Sequence, residues 1–246
     1  MKCFFYIFSV LLFAGTLFAS EVAESFSSAN QLYAEGKFSA AAKSYEAIIH
    51  SGAVSASLWY DYGNAEFKSG NLGRAIAAWR RAALLAPRDA DVRANLDFAR
   101  NQVQGATVRQ SQWQTWLEAL TLDEWSMLAA ITFWLTFGLF AAMQIWPLLK
   151  NPLRGAARIL IVATIFFCAC LGEAADIHFS KPVAVVILPD AVTRSGPFND
   201  AQNAFAVHDG AELSVLDQRN GWVQVSDANG RSGWMQSDQV EVLPSI

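Results

Sequence analysis

Three long apolar runs divide the chain and set the first expectations about its architecture. They extend from Cys3 to Phe18, from Trp125 to Leu149 and from Ala156 to Ile177. The second run contains no ionisable residue, and as a helix it would measure about 37 Å, more than the ~30 Å hydrocarbon core of a bilayer. The pattern predicts a two-helix transmembrane hairpin over residues 125–177. A pair of buried helices in a soluble protein is the alternative.

The first run has the features of an export signal. It follows one basic residue, Lys2, and it ends in small residues near Ala19 and Ser20, after which acidic and polar sequence begins. We therefore interpret residues 1–20 as a signal peptide. Because there is no clean Ala-x-Ala cleavage pattern, a cleaved peptide and a retained anchor both stay open, and in either case the following segment is delivered across the membrane.

Basic residues set the orientation of the predicted hairpin. Lys150, Arg154 and Arg158 lie between or at the edge of the second and third runs, and short loops rich in Lys and Arg stay in the cytoplasm. The hairpin turn is then inside, which agrees with the export signal. The sequence therefore predicts a protein of the bacterial inner (cytoplasmic) membrane with both soluble segments on the periplasmic side.

Residues 21–110 show helical periodicity with an internal repeat. Gly36 and Gly70 are 34 residues apart, and EGKFSAAAKSYEAII aligns with SGNLGRAIAAWRRAALL around them. A fixed period of this length is typical of stacked helix pairs. In such a stack the glycine ends one helix, a small residue (Ala41 or Ala75) allows close approach, and an aromatic residue (Tyr45 or Trp79) fills the wedge between repeats.

The second copy, WYDYGNAEFKSGNLGRAIAAWRRAALLAP, resembles a tetratricopeptide repeat, and DADVRANLDFAR resembles the opening half of another. The resemblance implies an all-α repeat domain whose first helices line a concave partner-binding surface. Asparagine amides there can bond a peptide backbone in two directions, and aromatic rings add apolar contact. Ordinary helix surface or core is the alternative for each candidate partner-binding residue: Asn30, Tyr33, Asn64, Phe67 and Lys68.

Residues 111–124 link this domain to the second apolar run. Trp113, Trp116, Leu117 and Leu120 fall at helical spacing on one side. The spacing predicts an amphipathic helix at the membrane interface. Packing against the repeat domain is the alternative.

In residues 178–246, short apolar stretches alternate with the turn signals HDG, RNG and ANG. They predict strands over Glu212–Leu216, Trp222–Val225 and Ser232–Met235, hence a small all-β barrel. The segments AVTRSGP, DGAELSVLDQRNGWVQV and GRSGWMQSDQVEVL resemble the bacterial SH3-like domain, with Ala-Val-Thr-Arg in place of the family's Asn-Val-Arg. The resemblance implies binding of proteins or cell-wall peptides. Trp222 and Trp234 are the candidate surface residues, with packing inside the barrel as the alternative.

Composition narrows the function classes. The chain is 53% apolar and 16% charged, with a net charge of -4, and the apolar runs account for the shortage of charge. No soluble segment has the basic cluster that nucleic acids require. Cys3, Cys168 and Cys170 all lie in apolar runs, and we find no catalytic motif or metal-ligand spacing. We expect no enzyme activity, cofactor, metal or nucleic-acid partner.

The order of signal, repeat helices, membrane hairpin and SH3-like barrel, together with DVRANLDFAR and LTLDEWSML, resembles E-type members of the Bacteroides aerotolerance (Bat) family. The resemblance implies an inner-membrane complex with other Bat-type proteins, some carrying von Willebrand-type domains, linked to stress or oxygen tolerance. The leading hypothesis is a membrane-anchored periplasmic protein-interaction scaffold. The alternative is a cell-wall-binding anchor or sensor that recognises peptidoglycan through the SH3-like domain.

Overall fold

The structure is a computed structural model that describes residues 22–104, 112–117, 119–180 and 182–243. The predicted signal peptide, residues 1–20, lies outside the described residues. The chain divides into two compact units. The first joins the N-terminal helices to the C-terminal strands, and the second contains the apolar helices that separate them in sequence.

The helical region, residues 22–104, contains five helices: α1 (22–34), α2 (Phe38–His50), α3 (Ala56–Lys68), α4 (Leu72–Leu85) and α5 (Ala90–Arg100). Gly36 and Gly70 adopt φ angles of 76° and 89° at the turns that follow α1 and α3, a conformation that strongly favours glycine. Side chains of Ser55 and Asp89 cap α3 and α5 by accepting hydrogen bonds from the first-turn amides. These local signals fix where the helices begin and end.

Helices α3 and α4 approach closely because Gly63 faces the ring of Trp79. A Cβ atom added at Gly63 would lie 2.6 Å from Trp79 Nε1, and the indole donates a hydrogen bond to the Tyr60 carbonyl at 3.2 Å. The small residues of the repeat, Ala41 and Ala75, are fully buried. The helix pairs are thus packed through the small and aromatic positions that the repeat pattern singled out.

The C-terminal sheet domain confirms the predicted all-β fold. Its seven strands lie in the order β3-β2-β6-β5-β4-β1-β7, with antiparallel pairing of β2 to β3 and of β4 to β5 to β6. The three predicted strands are present as β4, β5 and β6, each extended at its C-terminal end. The strand bounds are Val183–Val186, Ala191–Arg194, Asn203–Val207, Glu212–Arg219, Trp222–Ser226, Ser232–Gln236 and Val240–Leu243.

The core of the sheet domain forms from alternate residues of its strands. In β5 and β6 the inward positions include Val223, Val225 and Met235, each at most 2% exposed. Their neighbours along each strand point to the opposite face, as the two-residue period of a strand requires. The tight turn between β4 and β5 places Asn220 and Gly221 at positive φ, which an Asn-Gly pair tolerates.

The second unit consists of the short helix α6 (Gln112–Leu117) and two long apolar helices, α7 (Leu122–Ile145) and α8 (Lys150–Ser180). A 3-10 turn begins at Pro147 and separates the long helices. Both apolar segments, Leu122–Ile145 and Pro147–Ile177, are long and apolar enough to cross a membrane by length and composition. The hydroxyls of Thr136 and Thr164 lie 3.1 Å apart and join α7 to α8.

Helix α6 packs against α7 and α8. Leu117, Trp125, Cys170 and Ile177 form one buried cluster, and the Trp125 indole donates to the Leu117 carbonyl at 3.0 Å. The stacked rings of Trp113 and Trp116 remain about half exposed. The linker helix therefore belongs to the second unit, while its predicted place at a membrane interface stays a prediction.

Candidate functional site

The predicted groove residues lie on α1 and α3, which alternate with α2 and α4 in the helical region. Asn30 and Lys68 are exposed, whereas Tyr33, Asn64 and Phe67 are partly buried. We call these five residues the helical strip. They offer amide, phenol, aromatic and ammonium groups along the first helix of each repeat.

On α1, the strip is held by contacts with α2. The buried Tyr45 hydroxyl donates to Asn30 Oδ1 at 2.5 Å, and the Tyr33 ring packs edge-on against Phe38 with centroids 5.1 Å apart. Burial, with the nearby Asp61 charge, raises the pKa of Tyr45 above its ordinary value, so the phenol stays a hydrogen-bond donor at neutral pH. Asn30 therefore has one carboxamide oxygen already engaged and its amide nitrogen facing the strip.

On α3, the strip continues onto α5. The Asn95 amide donates to Asn64 Oδ1 at 3.0 Å, and the Phe67 ring packs against Trp79 at 5.6 Å and against Phe98 at 5.9 Å between centroids. Phe98 is 59% exposed. The structure thus brings Asn64 and Phe67 together with a polar and an aromatic residue of α5.

Sequence reasoning missed three members of this surface: Asn95, Phe98 and Asp61. The signal for the first two was the similarity of α5 to the opening helix of a repeat, which places α5 beside α3. Asp61 is partly buried, and burial raises its pKa. Its charge also contributes to the raised pKa of Tyr33, after burial itself. The α1 end of the strip is therefore acidic and phenolic, and the α5 end is aromatic.

The two predicted tryptophans of the sheet domain lie on one face of β5 and β6. Trp222 pairs with Gln236 and Trp234 pairs with Gln224 across these strands, and each tryptophan is partly exposed. Their inward neighbours form the core. We call the four residues Trp222, Gln224, Trp234 and Gln236 the tryptophan face.

Polar groups border the tryptophan face. Arg194 of β2 pairs with Trp234, and its guanidinium donates to the Asn199 and Ala201 carbonyls. The Gln236 amide donates to Asn199 Oδ1 at 3.0 Å. A face of two indoles and two carboxamides with a fixed arginine at its edge is suited to neutral polar chains, because it combines apolar contact with donors and acceptors.

A third feature, absent from the sequence analysis, is the contact between the helical region and the sheet domain. Glu212 of β4 is buried between two arginines: Arg80 Nη1 lies 2.7 Å from Oε1, and Arg100 Nε lies 3.0 Å from Oε2. The side chains of Arg80 and Glu212 are 3% and 4% exposed. Arg81 of α4 also lies 2.7 Å from Glu241 of β7. We call these pairs the interdomain joint.

The joint keeps its central carboxylate charged. Burial alone would raise the pKa of Glu212, but the charges and hydrogen bonds of Arg80 and Arg100 outweigh burial and hold it below its ordinary value. At Glu241, burial dominates and raises the pKa in spite of Arg81. The ionised Glu212 is therefore the stabilised group of the joint.

Within the described ranges, no group of three His, Cys, Asp or Glu side chains is placed to hold a metal ion. The surfaces above are built from groups that bind through hydrogen bonds and apolar contact.

Comparison with known families places the sheet domain. Residues 189–241 match the family model of the bacterial SH3 domain, which covers β2 to β6 and the start of β7. No curated protein matches the chain. The C-terminal sheet domain is therefore a bacterial SH3 domain.

Proposed function

We propose that this protein is a membrane-anchored scaffold that presents the helical strip and the SH3 domain to partners on the periplasmic side of the inner membrane. The interdomain joint carries the proposal. Its two halves lie before α7 and after α8, yet they share the buried contact of Glu212 with Arg80 and Arg100. Such a contact requires both halves in one compartment, which an even number of membrane crossings between them provides.

The apolar helices and their flanking charges support the rest of this arrangement. With α7 and α8 as a hairpin, the turn that carries Lys150 and Arg154 lies on the opposite side from both folded domains. Short basic loops remain cytoplasmic, so the helical region and the SH3 domain face the periplasm.

The helical strip is the proposed partner-binding surface. Its exposed aromatic Phe98 and its amide pair Asn64 and Asn95 offer apolar contact and hydrogen bonding to an extended peptide or helix. From the resemblance to tetratricopeptide repeats and to the Bat family, we propose membrane-anchored proteins with von Willebrand-type domains as partners. The role in stress or oxygen tolerance rests on that resemblance alone.

A second candidate is a cell-wall anchor, which the match to the bacterial SH3 domain favours. In this form the tryptophan face binds peptidoglycan strands, and the membrane hairpin tethers the wall to the inner membrane. Indole rings and carboxamides suit the neutral, hydroxyl-rich and amide-rich chains of the wall.

One experiment separates the two candidates. Tagged full-length protein is cross-linked in bacterial cells and purified, and the captured proteins and wall fragments are identified. Three forms are compared: the wild type, the strip double variant Asn64→Ala/Phe67→Ala, and the face double variant Trp222→Ala/Trp234→Ala. The exposed Phe198→Ala, which lies off the tryptophan face, is the matched control.

The scaffold predicts that other membrane-anchored proteins are recovered and that the strip variant lowers their recovery at least fivefold. The wall anchor predicts wall fragments whose recovery depends on the face variant instead. Membrane-protein partners that persist in the strip variant would overturn the assignment of the groove. Thermal unfolding of each purified variant shows whether a loss of binding reflects a loss of folding.

A further inference from the structure

The first turn of α4 is capped by a residue of the SH3 domain. The N-cap residue of this helix, Asn71, makes no side-chain capping hydrogen bond. Asp209 supplies it instead: Asp209 Oδ1 accepts from the Gly73 amide at 3.1 Å, and its carboxylate also interacts with the Leu72 amide. A carboxylate at this position satisfies free amides and interacts favourably with the helix dipole.

The same turn of the SH3 domain covers the next two turns of α4. A Cβ atom at Gly73 would collide with the Val186 carbonyl, and one at Gly210 would lie 2.9 Å from Ile76 Cδ1. One turn further on, Arg80 reaches Glu212. One side of α4 is therefore closed by residues 208–212, while the other packs against α3 through Trp79.

Helix α5 is held from the same direction. Arg100 donates to both carboxylate oxygens of Glu212, at 3.0 and 3.1 Å, and Val103 packs against the core of the SH3 domain. Helix α5 in turn presents Asn95 and Phe98 to the helical strip. A chain of direct contacts thus leads from the SH3 domain to the strip.

We propose that the SH3 domain is the structural cap of the helical region and holds α5 in the geometry of the helical strip. The segment that completes the helices lies after α8, so the end of the stack becomes fully ordered only when the C-terminal part of the chain docks. This inference does not depend on the partner or on membrane crossing. It makes the two candidate binding surfaces parts of one coupled body.

Hydrogen exchange of the full-length protein in detergent tests this cap. Asp209→Ala should accelerate exchange of the amides in the first turn of α4 at least tenfold, and Glu212→Gln should do the same over α5. Asp227→Ala is the matched control, because Asp227 is a buried acid of the same domain that bonds Arg231 within its own turn. It should leave α4 and α5 unchanged.

Unaltered protection of α4 in Asp209→Ala would overturn the proposal, and so would equal acceleration in Asp227→Ala, which would indicate general loosening. If Glu212→Gln fails to fold, Asp209→Ala decides alone, since it removes only the cap. The capture experiment can fail while this one succeeds, so the two proposals fall separately.

Discussion

Glu212 illustrates at the scale of single residues why a buried charge belongs in this fold. A carboxylate this deeply buried is costly unless it is paired and hydrogen-bonded. Arg80 and Arg100 supply both the charge and the donors. The pair is specific for its partners, because removing one member leaves the others buried without compensation.

We expect Glu212→Gln to lower the free energy of unfolding at pH 7 by about 3 kcal/mol, the order found when a buried pair is broken. The folded pKa of Glu212 is lowered. Its stabilisation is therefore complete above the unfolded pKa, about 4.3, and is lost as the pH falls through the folded value. Denaturant unfolding of the wild type and the variant from pH 7 to 3 should show their difference shrinking below about pH 4.

Glu241→Gln is the control for this prediction. Burial raises the pKa of Glu241, so its contribution to stability is lost as the pH rises through the folded value, which is the opposite sign. A wild-type advantage over Glu212→Gln that stays constant down to pH 3 would contradict an ionised Glu212 in the joint.

Helix α4 shows at the scale of elements how one segment serves two interfaces. Nine of its fourteen residues are buried, more than the single apolar stripe of a surface helix provides. Trp79 packs toward α3, whereas Gly73 and Arg80 contact the SH3 domain. Small residues are required on both sides because two neighbours approach the helix.

Gly73→Ala should lower the free energy of unfolding by about 1–3 kcal/mol, as overpacking does. Helix propensity alone predicts the reverse sign, because alanine favours helix by up to about 1 kcal/mol over glycine. The clash with the Val186 carbonyl decides the sign, since backbone cannot move aside easily. Gly155→Ala in α8, where the added Cβ meets open space, is the control. Thermal unfolding measures both, and a stabilising Gly73→Ala would contradict close docking.

At the scale of the whole molecule, the joint and the apolar helices together constrain topology. The helical region and the SH3 domain form one compact unit, and two candidate spans separate them in sequence. The proposed hairpin satisfies both observations with a single insertion event. A protein of this design presents one folded body on one side and only a short basic turn on the other.

Single cysteines at Ser39, Ser232 and Asn151 test this topology in a background without native cysteines. All three positions are exposed, and they lie in α2, in β6 and near the start of α8. In bacterial spheroplasts, a membrane-impermeant maleimide should label Ser39→Cys and Ser232→Cys, and should label Asn151→Cys only after permeabilisation. Labelling of the first two on opposite sides would contradict the joint, and labelling of Asn151→Cys alone would invert the proposed orientation.

The sequence by itself determined what depends on neighbouring residues. Glycine at Gly36 and Gly70, caps at Ser55 and Asp89, and strand alternation act within a few residues, so the helices, the strands and the apolar segments followed from pattern. The SH3 domain was predicted from its ordered motifs and is confirmed over residues 189–241. On the helical strip, Asn64 and Phe67 were found because the repeat places them on a first helix.

Only the tertiary structure decided the joint, the cap and the partners of the strip. Asp209 meets Gly73 across 136 residues and Glu212 meets Arg80 across 132. In the sequence these acids look like ordinary turn and strand residues. No periodicity encodes which distant charges will meet, because pairing depends on how two finished surfaces fit. The one local trace was α4, whose apolar and small residues surround the helix and require a second neighbour that only the folded chain identifies.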